Sequence, residues 1–102
     1  MAILGCKGEQ TPDGILNIEQ MAAILIGIHI AEGKIVEMQQ RGDTAAIILK
    51  YFEDEIYKKH DVDREVYEES FKYHLINVKT LDQIYAQVVD SLNVRKEIKK
   101  ID

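Results

Sequence analysis

Residues 22–31 read AAILIGIHIA, an apolar run interrupted only by His29. They sit in the middle of a longer segment, 17–40, with the spacing of a helix. A helix that is apolar on every side has to be covered on every side, by the rest of the fold or by a partner. Each later segment is amphipathic at helical period and can supply part of that cover, and no stretch alternates with period two over a useful length. The expectation is an all-α fold, a small bundle of about four helices with a long apolar first helix. Residues 15–102 form this helical domain, and residues 1–14 form an N-terminal tail or tether.

Local signals place the elements. Asn17 fits an N-cap, Gln20 three residues on closes a capping box, and Leu16 is placed to staple against Met21. Ile18, Met21, Leu25, Ile28, Glu32 and Ile35 make one stripe, widened by Ala22, Ile26, His29 and Val36. Gly27 and Gly33 each cost a helix roughly 1 kcal/mol relative to alanine, and a buried glycine suits the close approach of another helix. Gly42 is placed as the left-handed residue that ends this helix. Asp43 then caps a second helix with Ala45, Ile48, Leu49, Phe52 and Ile56 inward, ending on Lys58, Lys59 and His60. Asp63 caps a third, with Tyr67, Ser70, Phe71 and His74 inward and Val66 and Leu75 beside them. The last helix starts at Asn77 or Thr80 and carries Leu81, Ile84, Tyr85, Val88, Val89 and Leu92 on one face. Short connections favour antiparallel neighbours. The first helix, about 35 Å long at ~1.5 Å per residue, outruns the third, so part of it is left for a partner or a dimer mate.

Composition removes several classes of function. The 102 residues suit one domain. A net charge of −5 argues against nucleic acid, which is bound through clustered Lys and Arg. The longest apolar run is about half of what a spanning helix takes. A single cysteine, Cys6, excludes an intramolecular disulfide.

Cys6 has two readings. It is an incidental thiol on an N-terminal tail, or the end of a bacterial lipoprotein signal. Ile3-Leu4-Gly5-Cys6 resembles a lipobox, with an aliphatic residue three before the cysteine and a small one directly before it. Cleavage ahead of Cys6 would leave a lipidated cysteine, with residues 7–13 as the tether. Only five residues precede Cys6, fewer than a charged and an apolar leader segment occupy, so this reading needs a start upstream of Met1. With Met1 as the true start, a cytoplasmic helical protein is expected instead.

Three blocks between Leu16 and Leu92 resemble a domain of unknown function found in small Bacteroidetes lipoproteins. Residues 21–32, with Ile28-His29-Ile30-Ala31-Glu32, look like the family's first-helix pattern. Ile56-Tyr57-Lys58-Lys59-His60 followed by Glu69-Ser70-Phe71-Lys72-Tyr73-His74 is similar to its middle block, and 81–88, with Ile84-Tyr85, to its closing block. His74 stands where a tyrosine is expected, and Val78 follows Asn77 where the family often has proline. The resemblance implies a secreted, lipid-anchored helical domain without an assigned activity, and it strengthens the lipobox reading of Cys6.

Chemistry is sparse. His29 and Glu32, one turn apart, either form a polar lock inside the bundle or begin a metal site completed by His74 or Glu69. Bundle metal sites normally use two such motifs, and only one is present. A buried imidazole would need a hydrogen-bond partner, for which Tyr51, Tyr67, Tyr73 and Tyr85 are candidates. Asp61-x-Asp63-x-Glu65 opens like a calcium loop, but Val66 and Lys72 occupy the positions that require Gly and Glu. Ser70 and His74 share a helix face without the strand-to-helix elbow of a serine nucleophile. No P-loop or dinucleotide fingerprint occurs. The chain is therefore expected to be a non-enzymatic protein-interaction module of the cell envelope, lipid-anchored through Cys6, facing the periplasm and needing no cofactor. Its partner would be another envelope protein or a second copy, met along the first helix, with the membrane reached only through the lipid. The alternatives are a periplasmic chaperone-like helper, suggested by residues 58–75, and a metal site at His29, Glu32 and His74.

Overall fold

A computed structural model describes residues 11–101, with side chains through Lys96. Four helices follow in order: α1 (Ile18–Glu37), α2 (Gly42–Lys59), α3 (Arg64–Ile76) and α4 (Val78–Ile101), with no strand among the described residues. The expected small bundle is what the chain forms.

α1 is the central element and packs on α2, α3 and α4, while α3 also packs on α4. Its first turn is built as the sequence indicates: the Asn17 side chain accepts from the Gln20 N–H at 2.8 Å, and the Gln20 side chain accepts from the Asn17 N–H at 2.9 Å. Leu16 and Met21 are both buried in the same cluster, where a hydrophobic staple would put them. Met21, Ile24, Ile84 and Val88 are almost wholly removed from water, each contributing roughly 1.5–3 kcal/mol by its burial. Around them pack Leu25, Ile28, Tyr57 and Tyr67.

α1 stops at Glu37, earlier than the sequence suggests, and it is closed by Gln39 instead of Gly42. Gln39 takes φ +61°, and the N–H groups of Gln39 and Gln40 return to the carbonyls of Val36 and Ile35. α2 closes the same way: Asp61 has φ +57°, and the N–H groups of Asp61 and Val62 return to Lys58 and Tyr57. These are Schellman closures. The backbone bonds outweigh the steric preference for glycine at the left-handed position. Gly42, also at a positive φ of +62°, begins α2. Asp43 accordingly lies in the first turn of α2, with Arg41 at the N-cap.

The inward face of α2 is as expected, but Ala45, Ile48, Leu49, Phe52 and Ile56 are only half-buried, and Tyr57 is its one buried residue. Leu75 and Val89, expected beside the core, are half exposed at 50% and 51%. A small bundle built round one central helix lacks a second layer to cover them. Asn77 joins α3 to α4: its side-chain amide donates to the Tyr73 carbonyl, while its own carbonyl accepts from the N–H groups of Thr80 and Leu81. No helix among the described residues is long and apolar enough to cross a membrane.

Candidate interaction surface

Cys6 lies outside the described residues. The remaining residues singled out from the sequence fall in two separate places. His29 and Glu32 do pair, Nδ1 to Oε1 at 3.2 Å, but their side chains are 39% and 49% exposed. They form a surface pair on α1, not a polar lock inside the bundle.

His74 is fully buried at the other end of the molecule. Its Nε2 lies 2.9 Å from the Leu16 carbonyl and its Nδ1 2.8 Å from the Thr80 hydroxyl. A carbonyl can only accept, so Nε2 carries a hydrogen. The Thr80 hydroxyl, also 2.9 Å from the Asn77 carbonyl, has a single hydrogen to share between that carbonyl and Nδ1. Ser70, one turn earlier on α3, accepts from the Leu16 N–H at 2.9 Å and donates to the Val66 carbonyl at 2.7 Å. Ser70 and His74 thus meet through the Leu16 backbone and not as nucleophile and base. No buried side-chain polar atom among the described residues lacks a partner.

This geometry takes the metal site apart. His74 grips the residue before the N-cap of α1, whereas His29 lies twelve positions past that cap, roughly 18 Å along the helix. Both nitrogens of His74 are occupied. No group of three His, Cys, Asp or Glu side chains converges among the described residues. Of the tyrosines, Tyr57 and Tyr67 are buried with ring centroids 5.3 Å apart, Tyr73 and Tyr85 are half-buried, and Tyr51 is exposed.

The open surface lies on the opposite side of α1. At ~100° per residue, the buried Met21, Leu25 and Ile28 share one face of α1, while Ala23, Ile30 and Gly33 lie on the opposite face. Ile30 lines two grooves there. One, of about 300 Å³, runs between α1 and α2 over Gly27, Ile30, Phe52 and Ile56. The other, of about 550 Å³, runs between α1 and α4 over Ile30, Gly33 and Leu92. Lys34 and Lys59 border the first, together with Glu55; Arg95 and Lys96 border the second. A Cβ added at Gly33 would meet nothing within 4 Å. Sequence periodicity passed over Ile30 because it falls outside both inward stripes of α1. That same fact, an isoleucine off both stripes of a helix apolar all round, was the available signal.

The family described as a domain of unknown function, DUF4296, matches residues 12–98, which take in all of α1–α3 and most of α4. The chain belongs to that family. No curated protein and no solved structure matches the chain. The DUF4296 match covers both the clamp on Leu16 and the grooved side of α1.

Proposed function

We propose that this DUF4296 chain is a non-enzymatic protein-interaction domain of the cell envelope, anchored by lipid on Cys6, that receives its partner along the open side of α1. The observation that carries the reading is the position of Ile30. It belongs to the most apolar segment of the chain, yet it lines two surface grooves instead of the core. α3, thirteen residues long, packs on α1, and on the face that carries Ile30 the walls are α2 and α4. Apolar surface framed by charge is the usual form of a protein-binding groove. The envelope address rests on Ile3-Leu4-Gly5-Cys6 alone.

The test is site-specific photo-crosslinking in the cells that make the protein. A benzophenone side chain at Asn93, an exposed position on α4 that lines the second groove, is expected to give protein adducts. The same group at Glu68, an exposed position on α3, is expected to give none. Equal labelling at the two positions, or none at Asn93, would overturn the reading.

A further inference from the structure

We infer that the occupant of the paired grooves is an amphipathic helix with acidic flanks, supplied by a different protein and completing the bundle. This rests on the interaction role proposed for α1 and names the chemistry of its partner.

The shape argues for a helix. α1 lies between α2 and α4, and no substantial packing joins those two outer helices. They stand as two walls, with the Ile30–Gly33 strip of α1 as the floor. Such a trough has the form that one further helix fills when it lays an apolar ridge between neighbours. Aliphatic residues at i, i+3, i+4 and i+7 of the guest would meet Ile30 at the centre, Phe52 and Ile56 on one wall and Leu92 on the other. Gly33, with no side chain and nothing near its Cβ position, lets the guest backbone come closest there.

Charge selects the guest. The chain as a whole carries −5, yet the borders of this trough are cationic: Lys34 and Lys59 on one side, Arg95 and Lys96 on the other. Among the described residues, Glu55 is the one carboxylate lining either groove. Among the described residues the ion pairs are His29–Glu32 and Arg64 with Glu53 and Asp54. The four border cations therefore meet no described carboxylate. Asp or Glu residues flanking the guest's apolar ridge would complement them, and a basic guest would be repelled. A second copy fits less well. The exposed valines of its α4 stand among Lys79, Arg95 and Lys96 as well as Asp82 and Asp90. Its exposed α2 pair Ile47 and Tyr51, though flanked by Asp43, Asp54 and Glu55, is two residues long and broken by Lys50. The exposed Glu65, Glu68 and Glu69 of its α3 have no aliphatic ridge between them, since Val66 and Tyr67 turn inward.

The experiment sequences the peptide joined to the benzophenone at Asn93 in the full chain, and repeats the crosslinking with Lys34→Glu, Lys59→Glu, Arg95→Glu and Lys96→Glu combined. The expected peptide comes from another protein, with apolar residues at helical spacing and Asp or Glu beside them. The charge-reversed chain should give at least about tenfold less adduct at a temperature where its helical circular dichroism matches that of the wild type. A peptide of this chain itself, a basic or non-periodic peptide, or an adduct yield indifferent to charge reversal would overturn the acidic-helix assignment while leaving an interaction role for α1. A lipid adduct alone, or no adduct, would overturn both.

Discussion

The imidazole of His74 holds the carbonyl of Leu16 at 2.9 Å, a contact spanning 58 positions of the chain. Because Ser70 holds the N–H of the same residue, α3 grips both backbone polar groups of Leu16 just ahead of the first turn of α1. Leu16 is otherwise an unpaired residue in a buried approach to the helix, where unmet backbone groups are costly. The clamp fixes where α1 starts, and with it the depth at which Met21 and Ile24 enter the core.

Removing the ring should accordingly cost more than its volume. His74→Ala leaves the Leu16 carbonyl without its donor, deprives the Thr80 hydroxyl of one partner and opens a cavity among fully buried neighbours. The expected loss is about 2–4 kcal/mol, read from the urea midpoint. His74→Gln can return a donor to Leu16 but not the bond to Thr80, and should recover part of the loss. Equal midpoints for wild type and His74→Ala would show that the clamp does not stabilise the fold.

How far this was legible follows from what periodicity measures. Spacing reports which face of a helix turns inward, so the helices, the Asn17–Gln20 box and the inward set Tyr67, Ser70 and His74 were all available from sequence. Spacing does not report what stands across from that face. Matching chemistry offers His74 as one possible completion of a site at His29 and Glu32; the structure sets it against Leu16 and Thr80, whose contributing groups are a backbone carbonyl and a hydroxyl with no signature at a distance. The same blindness placed His29 inside the bundle. An apolar run on all sides of α1 implied full cover, but how much cover three further helices can give depends on their arrangement, and Ile30 is left half-buried in the grooves.

Alkaline pH should unfold the domain through its buried phenols. Burial, and then the nearby Glu53 carboxylate, push the Tyr57 hydroxyl up to about 12 despite the opposing Arg64 guanidinium. Burial likewise raises Tyr67, with Tyr57 and Tyr85 adding to the shift. A phenol whose folded pKa lies above its unfolded value of about 10 contributes stability that is fully present below pH 10. That stability is lost as pH rises toward the folded value. Urea midpoints taken from pH 8 to pH 12 should hold to about 10 and then fall, by up to ~1.4 kcal/mol per pH unit for each such group. Tyr57→Phe isolates the effect from lysine titration: its decline should be shallower than wild type, and an identical decline would remove Tyr57 as a cause.

Arg64 joins α2 to α3 at the turn between them. Its two terminal nitrogens reach Glu53 at 3.0 Å and Asp54 at 2.8 Å, and its guanidinium carbon stands 5.0 Å from the centre of the Tyr57 ring. A fork that meets two carboxylates and covers a ring is a task lysine cannot repeat. The side chain is 29% exposed, so screening limits its worth. Arg64→Lys should cost about 0.5–1.5 kcal/mol, with part of the difference from wild type vanishing in high salt. A thermal melt of Arg64→Lys that matches wild type at low ionic strength would dismiss the clamp as decoration.

The two glycines of α1 should separate stability from binding. At Gly27 an added Cβ would stand 3.4 Å from Ile56, at the border of ordinary contact, so the helix gain of alanine is offset by a small displacement of that side chain. Gly27→Ala should leave the melting temperature nearly unchanged. At Gly33 the added methyl meets nothing, and alanine should stabilise the free domain by roughly 1 kcal/mol, several degrees in a thermal scan for a domain of this size. The methyl would also stand on the floor of the trough at the point of closest approach for a guest helix. Gly33→Ala is therefore expected to raise stability while weakening capture from a benzophenone placed in the same groove at Asn93, and Gly27→Ala to change neither by much. A Gly33→Ala chain that is stabilised and still captures its partner undiminished would leave the glycine as an unused loss of helix propensity, and would move the closest approach away from this part of α1.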